Sequence, residues 1–211
     1  MELRYIGSSL LFFFTLMLFS PPGCAQGNAS AKPQVRKFKH NSKVESLYDK
    51  AKDQTTTYLR PMTVTSAPGS IEAQIMSEGK KTETIPGEVL SMTAYFVSPG
   101  KTAVKPRSVV LGFRSWTMDK TKYDNDRTLV IDLDASSINL GAMELLERRL
   151  DPNMELSNHR YFVESLEMPL PYETFLRITN AAKVKLTLAG TELSLRSEHL
   201  EAFRDLVSRI N

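Results

Sequence analysis

The chain has 211 residues, 41% hydrophobic and 24% charged, with a formal net charge of +3. That is the composition of a globular protein with one ordinary core, and Cys24, the single cysteine, excludes an intramolecular disulfide framework and a multi-cysteine zinc site. Setting aside Arg4, Glu2 and the cluster Lys32, Arg36, Lys37, Lys39 and Lys43, 21 basic and 23 acidic residues remain, so the excess charge lies in an arm and argues against a nucleic-acid-binding domain.

Residues 1–25 have the layout of a secretory signal. Arg4 supplies a basic start, and residues 10–19 (LLFFFTLMLF) form an apolar run too short for an ordinary membrane span. Pro21 and Pro22 break the run, and small residues follow. Two processing outcomes compete. Signal peptidase cuts after Ala25 or Gly27, or a lipoprotein signal covering residues 1–23 leaves Cys24 lipidated as the mature N-terminus. Gly23 fits the second pattern, whereas Pro21 and Pro22 do not.

Residues 26–43 read as a basic flexible linker with little apolar content and no periodicity. Its charge suits anionic headgroups, cell-wall polymer or an envelope protein, and a solvated spacer is the plainer alternative. Asn28-Ala29-Ser30 spells a glycosylation sequon, a match common by chance.

An α+β domain is expected over residues 44–211. Residues 44–52 (VESLYDKAK) suggest a short helix. Residues 55–65 (TTTYLRPMTVT) suggest a strand that Pro61 confines to an edge or breaks. Ala67-Pro68-Gly69-Ser70 is a turn, and residues 71–76 are a weak strand candidate. Residues 89–97 (VLSMTAYFV), 108–117 (SVVLGFRSWT), 128–134 (TLVIDLD) and 160–168 (RYFVESLEM) read as strands. Asp119 to Arg127 is a charged hairpin loop. Residues 138–149 are ambiguous: Ile138 and Leu140 point to a returning strand, while AMELLERRL has helical composition. The short turn at Ala135-Ser136-Ser137 decides for a strand.

The last forty residues carry the clearest pattern. Pro171 opens a helix over 172–181. Val184, Leu186 and Leu188, then Leu193 and Leu195, alternate around a turn at Gly190, so a hairpin follows. Leu200, Phe203, Leu206, Val207 and Ile210 then form one helical stripe, with Ser197 as N-cap. The expected architecture is a single domain, an antiparallel sheet in meander order with a C-terminal helix–hairpin–helix unit packed on it.

No catalytic constellation stands out. His40, His159 and His199 do not sit at metal-ligand spacing, and His199 beside Glu198 is expected on the wet face of its helix. Asp124-Asn125-Asp126 lacks the glycine and closing glutamate of a calcium loop. Asp132 and Asp134 lie two apart in a strand, the least poor carboxylate pair for a hydrolase; Glu164 and Glu167 fall on opposite faces. Ser77 to Lys80 and Ser98 to Lys101 spell S-x-x-K without its companion motifs. Tyr95, Phe96, Phe113 and Trp116 are expected mainly in the core.

Two stretches together, YDKAKDQTTT (48–57) and FLRITNAAKVKLTLAGTELSLRSEHLEAFRDL (175–206), resemble a loosely defined set of secreted or lipid-anchored bacterial proteins. The resemblance implies a bacterial exported domain and supplies no activity or site residues. The expectation is therefore an exported, non-enzymatic envelope or extracytoplasmic binding module without cofactor or metal, Cys24 being the candidate lipidation site. An extracytoplasmic carboxylate-dependent hydrolase is the alternative.

Overall fold

Period-two alternation runs through most of the sequence up to Pro171, and the chain answers it with antiparallel strands. The computed structural model describes residues 37–67, 88–134, 136–151 and 160–210. The elements are β1 (Val44–Asp49), β2 (Gln54–Leu59), β3 (Met62–Ala67), β4 (Glu88–Pro99), β5 (Ser108–Met118), β6 (Thr128–Leu133), β7 (Ser136–Ala142), β8 (Glu144–Leu150) and β9 (Tyr161–Pro171), followed by α1 (Tyr172–Asn180), β10 (Val184–Leu188), β11 (Thr191–Ser194) and α2 (Ser197–Ser208). The fold is mainly antiparallel β with two helices, one of them at the C-terminal end.

The strands divide into two sheets. The larger has the order β1-β2-β4-β5-β9-β8, with β3 also paired to β4; the smaller has the order β11-β10-β6-β7. A single meander is ruled out because β7 continues through Met143 straight into β8 and changes sheet there. Met143 is buried, and its N–H donates to Arg127 O at 2.9 Å, which fixes the crossing. Residues 138–149 are thus extended despite their helical composition, because cross-strand pairing with β6 and β9 supplies partners that a short isolated helix lacks.

The helix expected over 44–52 is also a strand. Ser46 and Thr57 hydroxyls meet at 3.0 Å and Tyr58 Oη donates to Glu45 at 2.7 Å, so side-chain pairs on β2 outweigh local propensity. Asp49 ends the strand by accepting the Ala51 and Lys52 backbone N–H groups. The hairpin between α1 and α2 turns at Ala189 and Gly190, both at positive φ. Its first strand also pairs with β6, so it extends the smaller sheet.

Both helices and the smaller sheet contribute to one core. α2 packs on β1, β2 and β4, while α1 packs on β5 and β9. Phe175 and Phe203 join the helices edge to face at 5.2 Å. They are buried with Phe96, Leu111, Phe113 and Leu166 of the larger sheet and Ile131 and Leu186 of the smaller one. Each such side chain stabilises the fold by about 1.5–3 kcal/mol before entropy. At the far end the β5–β6 loop lies against Glu164, a fully buried carboxylate. It accepts the Lys122 and Tyr123 N–H groups at 2.7 and 3.3 Å, and Arg148 Nε and Nη2 at 3.1 and 2.9 Å.

Candidate functional site

Pro61 has no N–H to give a ladder, and at Arg60-Pro61 the chain jogs. β2 therefore pairs with the C-terminal half of β4 and β3 with its N-terminal half. The Arg60 N–H donates to Lys43 O at 2.9 Å, and Ser42 Oγ donates to Arg60 O at 2.7 Å. These bonds draw residues 40–42, the end of the expected linker, against the jog. Lys37 onward belongs to the compact unit of the domain.

The start of α2 borders the same place. The result is a cleft of about 230 Å³ lined by His40, Asn41, Ser42, Pro61, Met62, Thr63, Arg196, Glu198 and His199. At roughly 30 Å³ per liquid water it has the volume of seven or eight waters, enough for a small polar molecule.

His40 is the unusual member. Its side chain is 6% exposed, and Nε2 lies 3.3 Å from Asp205 Oδ2. Asp205 is itself held by Arg209, whose Nε and Nη2 donate to its two oxygens at 3.1 and 3.3 Å. A carboxylate only accepts, so this contact places a proton on Nε2. Nδ1 is buried and has no hydrogen-bond partner among the described residues. Leaving such a buried polar atom unpaired costs about 1–3 kcal/mol. No group of three or more His, Cys, Asp or Glu able to hold a metal occurs among the described residues.

His199 plays a different part. Instead of facing solvent it is 2% exposed. Its Nδ1 accepts the Arg196 backbone N–H at 3.2 Å, the reach-back that a Glu or Gln makes in a capping box, and it also hydrogen-bonds to the Thr63 backbone. Burial, followed by the charge of Arg196, pushes its pKa below the usual histidine range. Burial therefore disfavours its charged form, and its bonds fasten α2 to β3. Its capping role also moves the start of the helix: Arg196 is the N-cap, and Ser197 is the first helical residue. At the cleft rim, Arg196 Nη2 lies 2.6 Å from Glu198 Oε1, with both side chains substantially exposed.

The other sequence candidates have structural partners. Asp132 lies 3.6 Å from Lys185 Nζ. Asp134 is just past the end of β6 at φ 46°, and accepts the Ala182 and Lys183 N–H groups at 3.3 and 2.9 Å. The strand geometry that would pair the two carboxylates is therefore absent. Asp134 borders a shallower depression with Ser136, Arg177 and Asn180. Asp124 pairs with Arg148 at 2.5 Å, and Asp126 accepts the Thr128 N–H at 2.8 Å. That bond lowers the Asp126 pKa below the usual carboxylate range.

Ser98 Oγ is occupied by both backbone groups of Val104, while Lys101 lies over the Tyr48 ring. Phe96 and Phe113 are core residues. Tyr95 and Trp116 are half-buried on the outer face. Tyr95 donates to Glu167 at 2.8 Å, and burial followed by that bond pushes its pKa up to about 12. Glu164 and Glu167 do face opposite ways, Glu164 to the loop and Glu167 to Tyr95. Cys24, Asn28, residues 71–76, the Ser77–Lys80 motif and His159 lie outside the described residues.

The cleft escapes a reading by spacing, since His40, residues 61–63 and residues 196–199 are remote in sequence. Pro61 was its one visible signal, as a break in an edge strand. No helix among the described residues is long and apolar enough to cross a membrane. Comparisons of the chain with protein-family models, curated protein sequences and solved structures find no match.

Proposed function

We propose that the protein is an exported, non-enzymatic bacterial envelope protein that works as a binding module, with the cleft at the β2–β3 jog as its ligand seat. The observation that carries this reading is that buried His40, whose Nδ1 lacks a hydrogen-bond partner among the described residues, lines a cleft shared with Arg196 and Glu198. A group held in place by Asp205 at an energetic cost, beside a small polar space, is what a ligand seat requires.

The leader motivates export, through either a signal peptide at residues 1–25 or a lipoprotein signal at 1–23 with lipid on Cys24. On this reading the basic stretch up to Lys43 holds the domain near an envelope protein, cell-wall polymer or anionic membrane surface, and the last forty residues act as a helix–hairpin–helix unit that closes the fold.

Two measurements test it. After expression of the full chain in a bacterium, cell fractionation and mass spectrometry of the mature N-terminus should show export with the leader removed, and either unmodified protein or diacylglycerol on Cys24. Retention in the cytoplasm with the leader intact overturns export. Nitrogen-15 NMR of the imidazoles during titration with small polar compounds should move His40 Nδ1. A signal that ignores every compound, or a hydrolase activity lost on a single substitution, overturns the binding module.

A further inference from the structure

We infer that β8 is an association edge, through which two copies of this chain pair antiparallel about a two-fold axis at Arg148. The edge shares no residue with the cleft, so it adds a partner surface to the domain.

β8 is the last strand of the larger sheet, and one side of its backbone has no neighbouring strand among the described residues. Every residue of it except Leu145 is exposed. Leu146 and Leu150, 51% and 44% exposed, are large apolar side chains that reach solvent there. From Glu147 to Leu150 the strand keeps a regular register with β9, following a shift between Leu145 and Glu147. An open strand of this kind is a template for another strand.

Charged side chains usually blunt such an edge, because an incoming strand leaves them unpaired. Here they select one partner. With the two-fold axis at Arg148, Glu147 lies opposite Arg149 of the second copy and Leu146 lies opposite its Leu150. Symmetry makes each match twice. Glu147 and Arg149 already meet at 2.8 Å within one chain, with side chains 44% and 40% exposed. The pairing therefore sets two acids and two bases alternately at the corners of a square, and cross-strand pairs of opposite charge stabilise a sheet. Arg148 opposes itself on the axis, but each copy of it is already neutralised by Glu164 and Asp124, at 2.9 and 2.5 Å. Moving the axis to Glu147 or to Arg149 opposes that residue to itself and sets a leucine against Arg148. A purely acidic or purely basic partner strand would satisfy half of these charges, whereas the strand's own reverse satisfies them all. The two larger sheets then run on into one.

The test is sedimentation velocity of the full chain over a concentration series. The parent should form a reversible dimer. Glu147→Arg and Arg149→Glu, both at exposed positions, should each weaken it at least about tenfold, since two attractive cross-strand pairs become two repulsive ones. Thermal melts confirm that both variants are folded. An equimolar mixture of the two variants sets arginine against glutamate again and should recover a dimer within about threefold of the parent. Leu47→Ser, at a still more exposed leucine on β1 along the opposite edge of the sheet, should leave the dimer unchanged.

A chain that stays monomeric up to about 1 mM overturns the inference. So does a dimer that survives both single substitutions, which places its interface elsewhere. A mixture that fails to recover the dimer overturns it as well. None of these results touches the ligand seat, which the imidazole titration tests separately.

Discussion

Glu164→Gln removes the charge of a fully buried carboxylate. The substitution keeps the volume of a side chain that is fully buried and accepts four hydrogen bonds. Whichever way the new amide turns, its NH₂ faces either Arg148 or the Lys122 and Tyr123 N–H groups, so one pair of donors meets a donor. Removing one partner of a fully buried ion pair costs about 3–5 kcal/mol, and hydrogen bonds to a charged group are worth about 1.5–3 kcal/mol each. Arg148 is one-third exposed and also pairs with Asp124, so water and Asp124 take up part of the loss. The expected cost is about 2–4 kcal/mol. In urea unfolding that lowers the midpoint by roughly 1–2 M, at a slope of about 2 kcal/mol/M.

Hydrogen exchange locates the effect, since the Lys122 and Tyr123 amides should lose protection before the core strands do. A midpoint within about 0.2 M of the parent, corresponding to under about 0.5 kcal/mol, would refute the reasoning.

Three further outcomes are expected. His199 has a folded pKa held below 6.5 by burial, so its contribution to stability is complete above about pH 6.5 and is lost as pH falls through the folded value. His199→Gln keeps the reach-back to the Arg196 N–H without titrating, and thermal melts between pH 7.5 and 5 should fall less steeply for this variant; an unchanged slope would count against the assignment. At Gly112 an added Cβ would meet Thr93 Cγ2 at 2.9 Å, so Gly112→Ala should cost about 1–3 kcal/mol in urea unfolding. Thr93→Ser should recover part of that, and a neutral Gly112→Ala would show that the sheet yields there. Asp134→Ala should lower the melting temperature through loss of its bonds to residues 182 and 183, worth about 1–2 kcal/mol, whereas Asp134→Asn, which still tolerates positive φ, should lose less. Equal effects of the two substitutions would mean that the bonds do not hold the turn.

Strands with strict alternation were legible residue by residue. Leu129, Ile131 and Leu133 are buried against half-buried Val130 and Asp132, as their spacing requires. Local chemistry also found the turn at Gly190 and the stripe of α2. What failed was local preference opposed by distant partners. VESLYDKAK and AMELLERRL have helical composition, but each is shorter than a helix needs to stand alone, and each found a strand edge to complete. His199 was misjudged for the same reason. Glu198 beside it suggests solvent, but its surroundings are set by Thr63, more than a hundred residues earlier. His40 looked like part of a linker because nothing local announces Asp205. Sites assembled from unmotivated spacings are visible only once the chain has folded.

The run from Ser136 to Leu150 is one ribbon that enters the core in the smaller sheet and leaves it in the larger. A domain stitched this way lacks a seam along which one layer can peel off and leave the other intact, because melting either sheet pulls a strand out of its neighbour. Denaturation followed in the two sheets separately should therefore report one transition. It follows too that a cut at Met143 should cost the whole fold rather than release a stable half.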